Sequence, residues 1–146
     1  VSNINQGMSG CQEGNAIEVR NAPFTIEGTD VNVTISDNTV SNYQKNGITA
    51  NGSVKATITN NTVAGAGPVD YIAQNGIQIG FGATAVVSGN TVSGNNYTPD
   101  SWVACGILYF DADGVKAMRN FVSGGNEHPF CNFGEKGGGN VPYKDW

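Results

Sequence analysis

The stretch Asn46-Gly-Ile-Thr-Ala-Asn-Gly-Ser-Val-Lys-Ala-Thr-Ile-Thr-Asn-Asn61-Thr-Val63 decides the fold, because it carries two short apolar patterns that both recur along the chain. The first occurs four times, as Val33-Thr-Ile-Ser-Asp-Asn38-Thr-Val40, Ala56-Thr-Ile-Thr-Asn-Asn61-Thr-Val63, Ala85-Val-Val-Ser-Gly-Asn90-Thr-Val92 and Val115-Lys-Ala-Met-Arg-Asn120-Phe-Val122, with its Asn residues 23, 29 and 30 positions apart. The second interleaves with it as Ala16-Ile-Glu-Val, Gly47-Ile-Thr-Ala, Gly76-Ile-Gln-Ile and Gly106-Ile-Leu-Tyr, at spacings of 31, 29 and 30. Two interlocked series with one common period mean a solenoid, in which each repeat buries its apolar side against its neighbours.

Within the repeat, the step from Ile48 to Ile58, Ile77 to Val87 and Ile107 to Ala117 is ten residues each time, while Ile17 to Ile35 takes eighteen. An insert bulging from the coil is therefore expected around Pro23 to Asp30. The steps from Val40, Val63 and Val92 to the next Gly take 7, 13 and 14 residues, so length variation concentrates in that one connection. Alternation along the short strands turns Ile17, Val19, Ile48, Ala50, Ile77, Ile79, Ile107 and Tyr109 inward and Glu18, Thr49, Gln78 and Leu108 outward. Each coil thus supplies three strands. Asn38, Asn61, Asn90 and Asn120 fall at a sharp bend between two of them, where Asn tolerates left-handed backbone angles and its amide can bond the Asn one coil away.

Composition agrees. Of 146 residues 13% are charged, below the usual quarter, and there are 21 Gly and 19 Asn. One Leu stands against 15 Val and 10 Ile, a bias towards β-branched side chains that favours strands. A net charge of -5 with seven Lys plus Arg leaves no basic surface for phosphates, which argues against nucleic-acid partners. No apolar run approaches the roughly 20 residues of a membrane span.

Short Val, Ile and Thr strands, an asparagine ladder at a tight turn and a third connection of variable length resemble the right-handed parallel β-helix of the pectate-lyase-like superfamily. The resemblance covers roughly Ala16 to Ser123. It implies an all-β solenoid of about four to five coils over residues 1–133, followed by a Gly-rich tail or cap at 134–146. Because Val1-Ser2-Asn3 matches Val40-Ser41-Asn42, the sequence is expected to begin within a coil of a longer β-helix.

In lyases of this fold, substrate lies along the outer face of the first sheet beside the variable loops. The resemblance therefore points to Glu18, Arg20, Thr49, Asn51, Gln78 and Phe110 on the strands. Tyr43, Lys45, Asp70, Tyr71, Tyr97, Asp100 and Trp102 would flank them from the loops. Aromatic rings stack on the apolar faces of sugars while carboxylates and amides bond hydroxyls, so the expected ligand is a polysaccharide or glycoconjugate met outside the cell or at its surface. If the chain is an enzyme, a polysaccharide lyase, glycosidase or epimerase is implied. Family lyases commonly pair a calcium-holding acidic cluster with a basic residue, whereas the column Glu18, Thr49, Gln78, Leu108 holds one acid. The alternative is a structural or assembly solenoid that associates with itself or with adjoining β-helix segments.

Asp111 and Asp113 follow the Gly106 to Phe110 strand in an Asp-Ala-Asp-Gly sequence; such acids routinely form turns, and these two could also hold Ca2+. His128 is the single histidine and reads as a loop residue. Continuing the coil past Val122 places Cys131 one coil above Cys105, side by side on adjacent strands. That arrangement admits either a disulfide or two stacked thiols and leaves Cys11 free.

Overall fold

The computed structural model describes residues 1–5, 7–22, 28–99, 101–112 and 114–133. Fourteen strands occur among them, and no helix. In chain order they are β1 Ser2–Ile4, β2 Ile17–Asn21, β3 Val31–Ser36, β4 Thr39–Tyr43, β5 Asn46–Gly52, β6 Val54–Thr59 and β7 Thr62–Val69. They continue as β8 Asn75–Gly80, β9 Thr84–Ser88, β10 Thr91–Tyr97, β11 Cys105–Phe110, β12 Lys116–Met118, β13 Phe121–Val122 and β14 His128–Phe133. Every third strand lands in the same sheet. The first sheet is β2-β5-β8-β11-β14, the second β3-β6-β9-β12 and the third β1-β4-β7-β10-β13. All pairings are parallel, so the chain is a parallel β-helix.

The register is the one the repeats imply. Ile17, Ile48, Ile77 and Ile107 are successive partners in the first sheet, and Ile35, Ile58, Val87 and Ala117 in the second. Their side chains fill the interior: Ile48, Ile58, Ile77, Val87 and Ile107 are fully buried. Each such side chain contributes about 1.5–3 kcal/mol by leaving water. Ile17 and Val19 sit in the outermost described coil of this sheet and are half-buried.

The Gly of each Gly-Ile pair has a steric cause. A β-carbon on Gly76 would come within 2.3 Å of Val92 Cγ1 and 2.5 Å of the Gly106 carbonyl oxygen, and one on Gly47 within 2.4 Å of Val63 Cγ1. Thus the Val of one pattern occupies the space that the Gly of the other leaves, which is why the two series keep step.

The asparagine ladder forms. The Nδ2 groups of Asn38, Asn61 and Asn90 donate to the Oδ1 atoms of Asn61, Asn90 and Asn120 at 3.0, 2.9 and 2.9 Å. Each of these oxygens also accepts the backbone N–H of the Asn one coil earlier. The left-handed angle is not carried by the ladder residue, however. It belongs to the residue before it: Asp37, Asn60, Gly89 and Arg119, with φ of 58°, 57°, 67° and 55°. The ladder amide then satisfies backbone groups that the bend removes from sheet pairing.

A second ladder lies at the entry to the first sheet. Asn75 Nδ2 donates to Asn46 Oδ1 and Asn46 Nδ2 to Asn15 Oδ1, both at 2.9 Å. Cys105 takes the next position, its N–H donating to Asn75 Oδ1.

Cys105 and Cys131 are bonded, with α-carbons 5.9 Å apart, and Cys11 is free and exposed. The expected register behind that pair is corrected: Cys105 pairs with His128, and Cys131 with Leu108. The insert expected at Pro23 to Asp30 falls largely on residues 23–27, and the Gly-rich tail on 134–146, both outside the described residues.

Candidate functional site

The inward and outward assignments meet different fates. Ile48, Ala50, Ile77, Ile79, Ile107 and Tyr109 are 0–1% exposed, as alternation requires. Yet on the outward side Thr49, Gln78 and Leu108 are only 0%, 8% and 9% exposed. Leu108 packs with Cys105 and Cys131, and long connections run beside Gln78 and Leu108 on this face. Gln44, fully buried, anchors one of them: its Nε2 donates to the Ser9 and Cys11 carbonyls at 3.1 Å. Gln74, equally buried, donates to the Tyr43 and Gln44 carbonyls and accepts the Ala66 N–H.

Between the first sheet and these connections runs a groove of about 900 Å3. Its floor is Arg20 of β2, Asn51 of β5, Gln78 of β8 and Phe110 of β11. Gln78 Nε2 donates to Asn51 Oδ1 at 3.3 Å, which orients both amides. One wall is Gly10 and Gln12 from the β1–β2 connection; the other combines Tyr71 and Ile72 from the connection before β8 with Tyr97 at the end of β10 and Ser101 and Trp102 from the connection before β11. Trp102 is 72% exposed, an apolar surface left uncovered beside the groove. Phe81 and Phe110, both lining it, pack with ring centroids 5.3 Å apart.

The groove's charge is one-sided. Among its described lining residues Arg20 and Lys45 are basic and none is acidic. Arg20 is paired with Glu18, two positions along β2. Lys45 Nζ donates to the Ala73 carbonyl at 2.7 Å, and burial lowers its pKa from 10.5 to about 8, since the interior disfavours the charged amine.

Several expected residues converge here: Arg20, Gln78, Tyr71, Tyr97 and Trp102, together with Lys45, Asn51 and Phe110. Others do not. Thr49 is sealed beneath the surface, and its Oγ1 finds no hydrogen-bond partner among the described residues. Tyr43 is a core residue rather than a loop aromatic, 1% exposed, with its hydroxyl donating to Asn95 Oδ1. Burial holds its pKa well above the usual tyrosine value, against a lowering by that bond. Glu18 accepts from Asn15 Nδ2 and lines a smaller depression that shares Gln12, Asn15 and Arg20 with the groove. Asp70 is exposed and does not line the groove.

Asp100 and Asp113 lie outside the described residues. Asp111 is an exposed turn residue with φ of 49° whose carbonyl accepts the Gly82 N–H at 2.7 Å. Among the described residues no three His, Cys, Asp or Glu gather as a metal site would need. His128 opens β14, exposed, with Nε2 3.4 Å from Glu127 Oε1.

Sequence reasoning missed the buried Gln44 and Gln74, whose amides bond the connections along the groove, and the ladder of Asn15, Asn46 and Asn75. The ladder had a signal, since each of these Asn directly precedes the Ala-Ile or Gly-Ile of the second pattern. No curated protein and no solved structure matches the chain. The family model described as right handed beta helix region matches residues 24–135, and with three parallel sheets wound in register the chain belongs to the right-handed β-helix family.

Proposed function

We propose that this protein binds a polysaccharide or glycoconjugate in the groove over its first sheet, outside the cell or at its surface. The observation that carries the reading is the groove's lining: exposed Trp102, with Tyr71 and Tyr97, stands over a floor of Gln78 and Asn51 amides. Rings stack on the apolar faces of pyranose sugars, and amides exchange hydrogen bonds with their hydroxyls. Among the described lining residues none sets a carboxylate beside Lys45, and a ligand carboxylate or sulfate would supply an anion there, so acidic glycans are preferred over neutral ones of the same backbone. Hydrolysis by a carboxylate pair has no support in the described lining, which contains no acid. The Cys105–Cys131 bond supports an oxidising setting.

Affinity electrophoresis through neutral and acidic polysaccharides tests the reading, with released reducing and unsaturated ends measured in parallel. Retardation is expected in acidic gels and should weaken with added salt. Unretarded migration through the whole panel, with no ends released, would remove the proposal.

A further inference from the structure

The wall that carries Trp102 has a fastening that no repeat of the sequence announces. Residues 98–103 leave β10 and return to β11; Thr98, Pro99, Ser101, Trp102 and Val103 are all exposed. Such a segment has little packing of its own; at its start Tyr97 pairs with Val69 of β7 and the Thr98 N–H donates to the Val69 carbonyl at 2.9 Å. Both of its ends reach one carboxylate: Glu127 Oε2 accepts the backbone N–H of Tyr97 at 3.2 Å and that of Ala104 at 3.3 Å. Glu127 belongs to the next coil, in the turn between β13 and β14, and its side chain is only 13% exposed.

The position of that carboxylate is built by the fold. Gly124 and Gly125 turn the chain with φ of 55° and 79°. Asn126 Oδ1 then accepts the backbone N–H and the side-chain amide of Asn95 one coil below. The Glu127 N–H donates to the Asn95 carbonyl at 2.8 Å, and the His128 N–H to the Ala104 carbonyl at 3.2 Å. Glu127 is thereby held on both sides, and its buried Oε1 faces His128 Nε2.

We infer that Glu127 is the positioning residue of the groove's aromatic wall: one buried carboxylate clasps the two ends of residues 98–103 and so fixes where Tyr97 and Trp102 stand over the sheet. Charged acceptors make stronger hydrogen bonds than neutral ones, and removing this one strands two backbone donors at once. The importance of the clasp for ligand binding rests on the groove reading above; its mechanical role does not.

Hydrogen exchange resolved by residue tests the clasp on the whole chain. In the wild type, the Tyr97 and Ala104 amides are expected to be protected. Glu127→Ala should speed both by about tenfold or more while the β6 amides, on the opposite sheet, keep their rates. Glu127→Gln, which retains one accepting oxygen, should speed them less and decides the matter if the Ala variant does not fold. Affinity for an acidic polysaccharide such as polygalacturonate should fall in the same order. Unprotected wild-type amides, unchanged rates in Glu127→Gln and Glu127→Ala, or an equal rise in β6 would each overturn the inference. Local exchange that responds in a protein retarded by no polysaccharide would keep the clasp and dismiss the groove's ligand instead.

Discussion

The outer faces of the first and second sheets begin from the same kind of strand and end in opposite environments. On β5, β8 and β11 the outward Thr49, Gln78 and Leu108 are 9% exposed or less. On the second sheet the outward Lys55, Thr57, Lys116 and Met118 are exposed, and even Val86 is 38% exposed. The interior behind each is equally dry, with Ile77 and Val87 both at 0%. What differs is the connection. A single residue, Ser53, joins β5 to β6, so that connection is too short to lie over the second sheet. The turns into β8 and β11 are longer and fold back over the first sheet. In this solenoid the strands provide a frame, and connection length chooses which face carries the groove.

The largest effect is expected from a change that spares neither face. Asn90→Ala would remove the oxygen that accepts both Asn61 amide groups and the Nδ2 that donates to Asn120 Oδ1 and the Ile58 carbonyl, all buried. Chemical denaturation should show a loss of about 3 kcal/mol or more, since each stranded buried group costs about 1–3 kcal/mol. A loss under 1 kcal/mol would mean the ladder is not what ties the coils.

Breaking the Cys105–Cys131 bond separates the faces. Cys131→Ser should lower stability by about 2–4 kcal/mol. Its exchange protection should fall first in β11 and β14 of the first sheet, with β3 and β6 little affected.

Trp102→Ala sharpens the contrast at the level of binding. With its ring 72% exposed, folding should change by less than about 0.5 kcal/mol. Retardation by an acidic polysaccharide should nonetheless weaken about tenfold. Met118→Ala on the second sheet should alter neither quantity.

The last effect concerns Lys45 and is read as a trend with pH. Burial depresses its folded-state pKa to about 8 from 10.5 in the unfolded chain, so between those values the unfolded chain binds more protons and stability rises with pH. Below about 8 both states are protonated and the cost of the buried charge is present in full. Affinity for an acidic glycan should move the other way, declining as pH passes about 8 and the amine loses its charge. Lys45→Met should bind more weakly and show neither trend.

How much of this was legible in the sequence follows from the same contrast. The interior was, because its period is written in β-branched residues and in Asn38, Asn61, Asn90 and Asn120. The identity of the left-handed residue was not, because four different types, Asp37, Asn60, Gly89 and Arg119, occupy that position. The last coil was misregistered because Ile107 pairs with Phe130 after 23 residues, where Ile77 to Ile107 takes 30. A bridge between Cys105 and Cys131 survived that error, since it joins residues offset along neighbouring strands. Of the groove's lining, several residues were legible, Arg20, Gln78, Tyr71, Tyr97 and Trp102 among them, and the cover was not. Whether Thr49 meets water depends on where distant connections fold, and alternation within a strand carries no information about that. Tyr43 shows the reverse, an aromatic expected in a loop and drawn inside by a hydrogen-bond partner, Asn95, 52 residues away.

The measurement that tests the account most directly is a titration of the protein with an acidic oligosaccharide, followed through its backbone amide resonances. Shifts are predicted to gather at Arg20, Lys45, Gln78, Tyr97 and Trp102, on the covered face of the first sheet, with the outer face of β3, β6, β9 and β12 silent. Shifts centred on that second face, or none at saturating oligosaccharide, would contradict it.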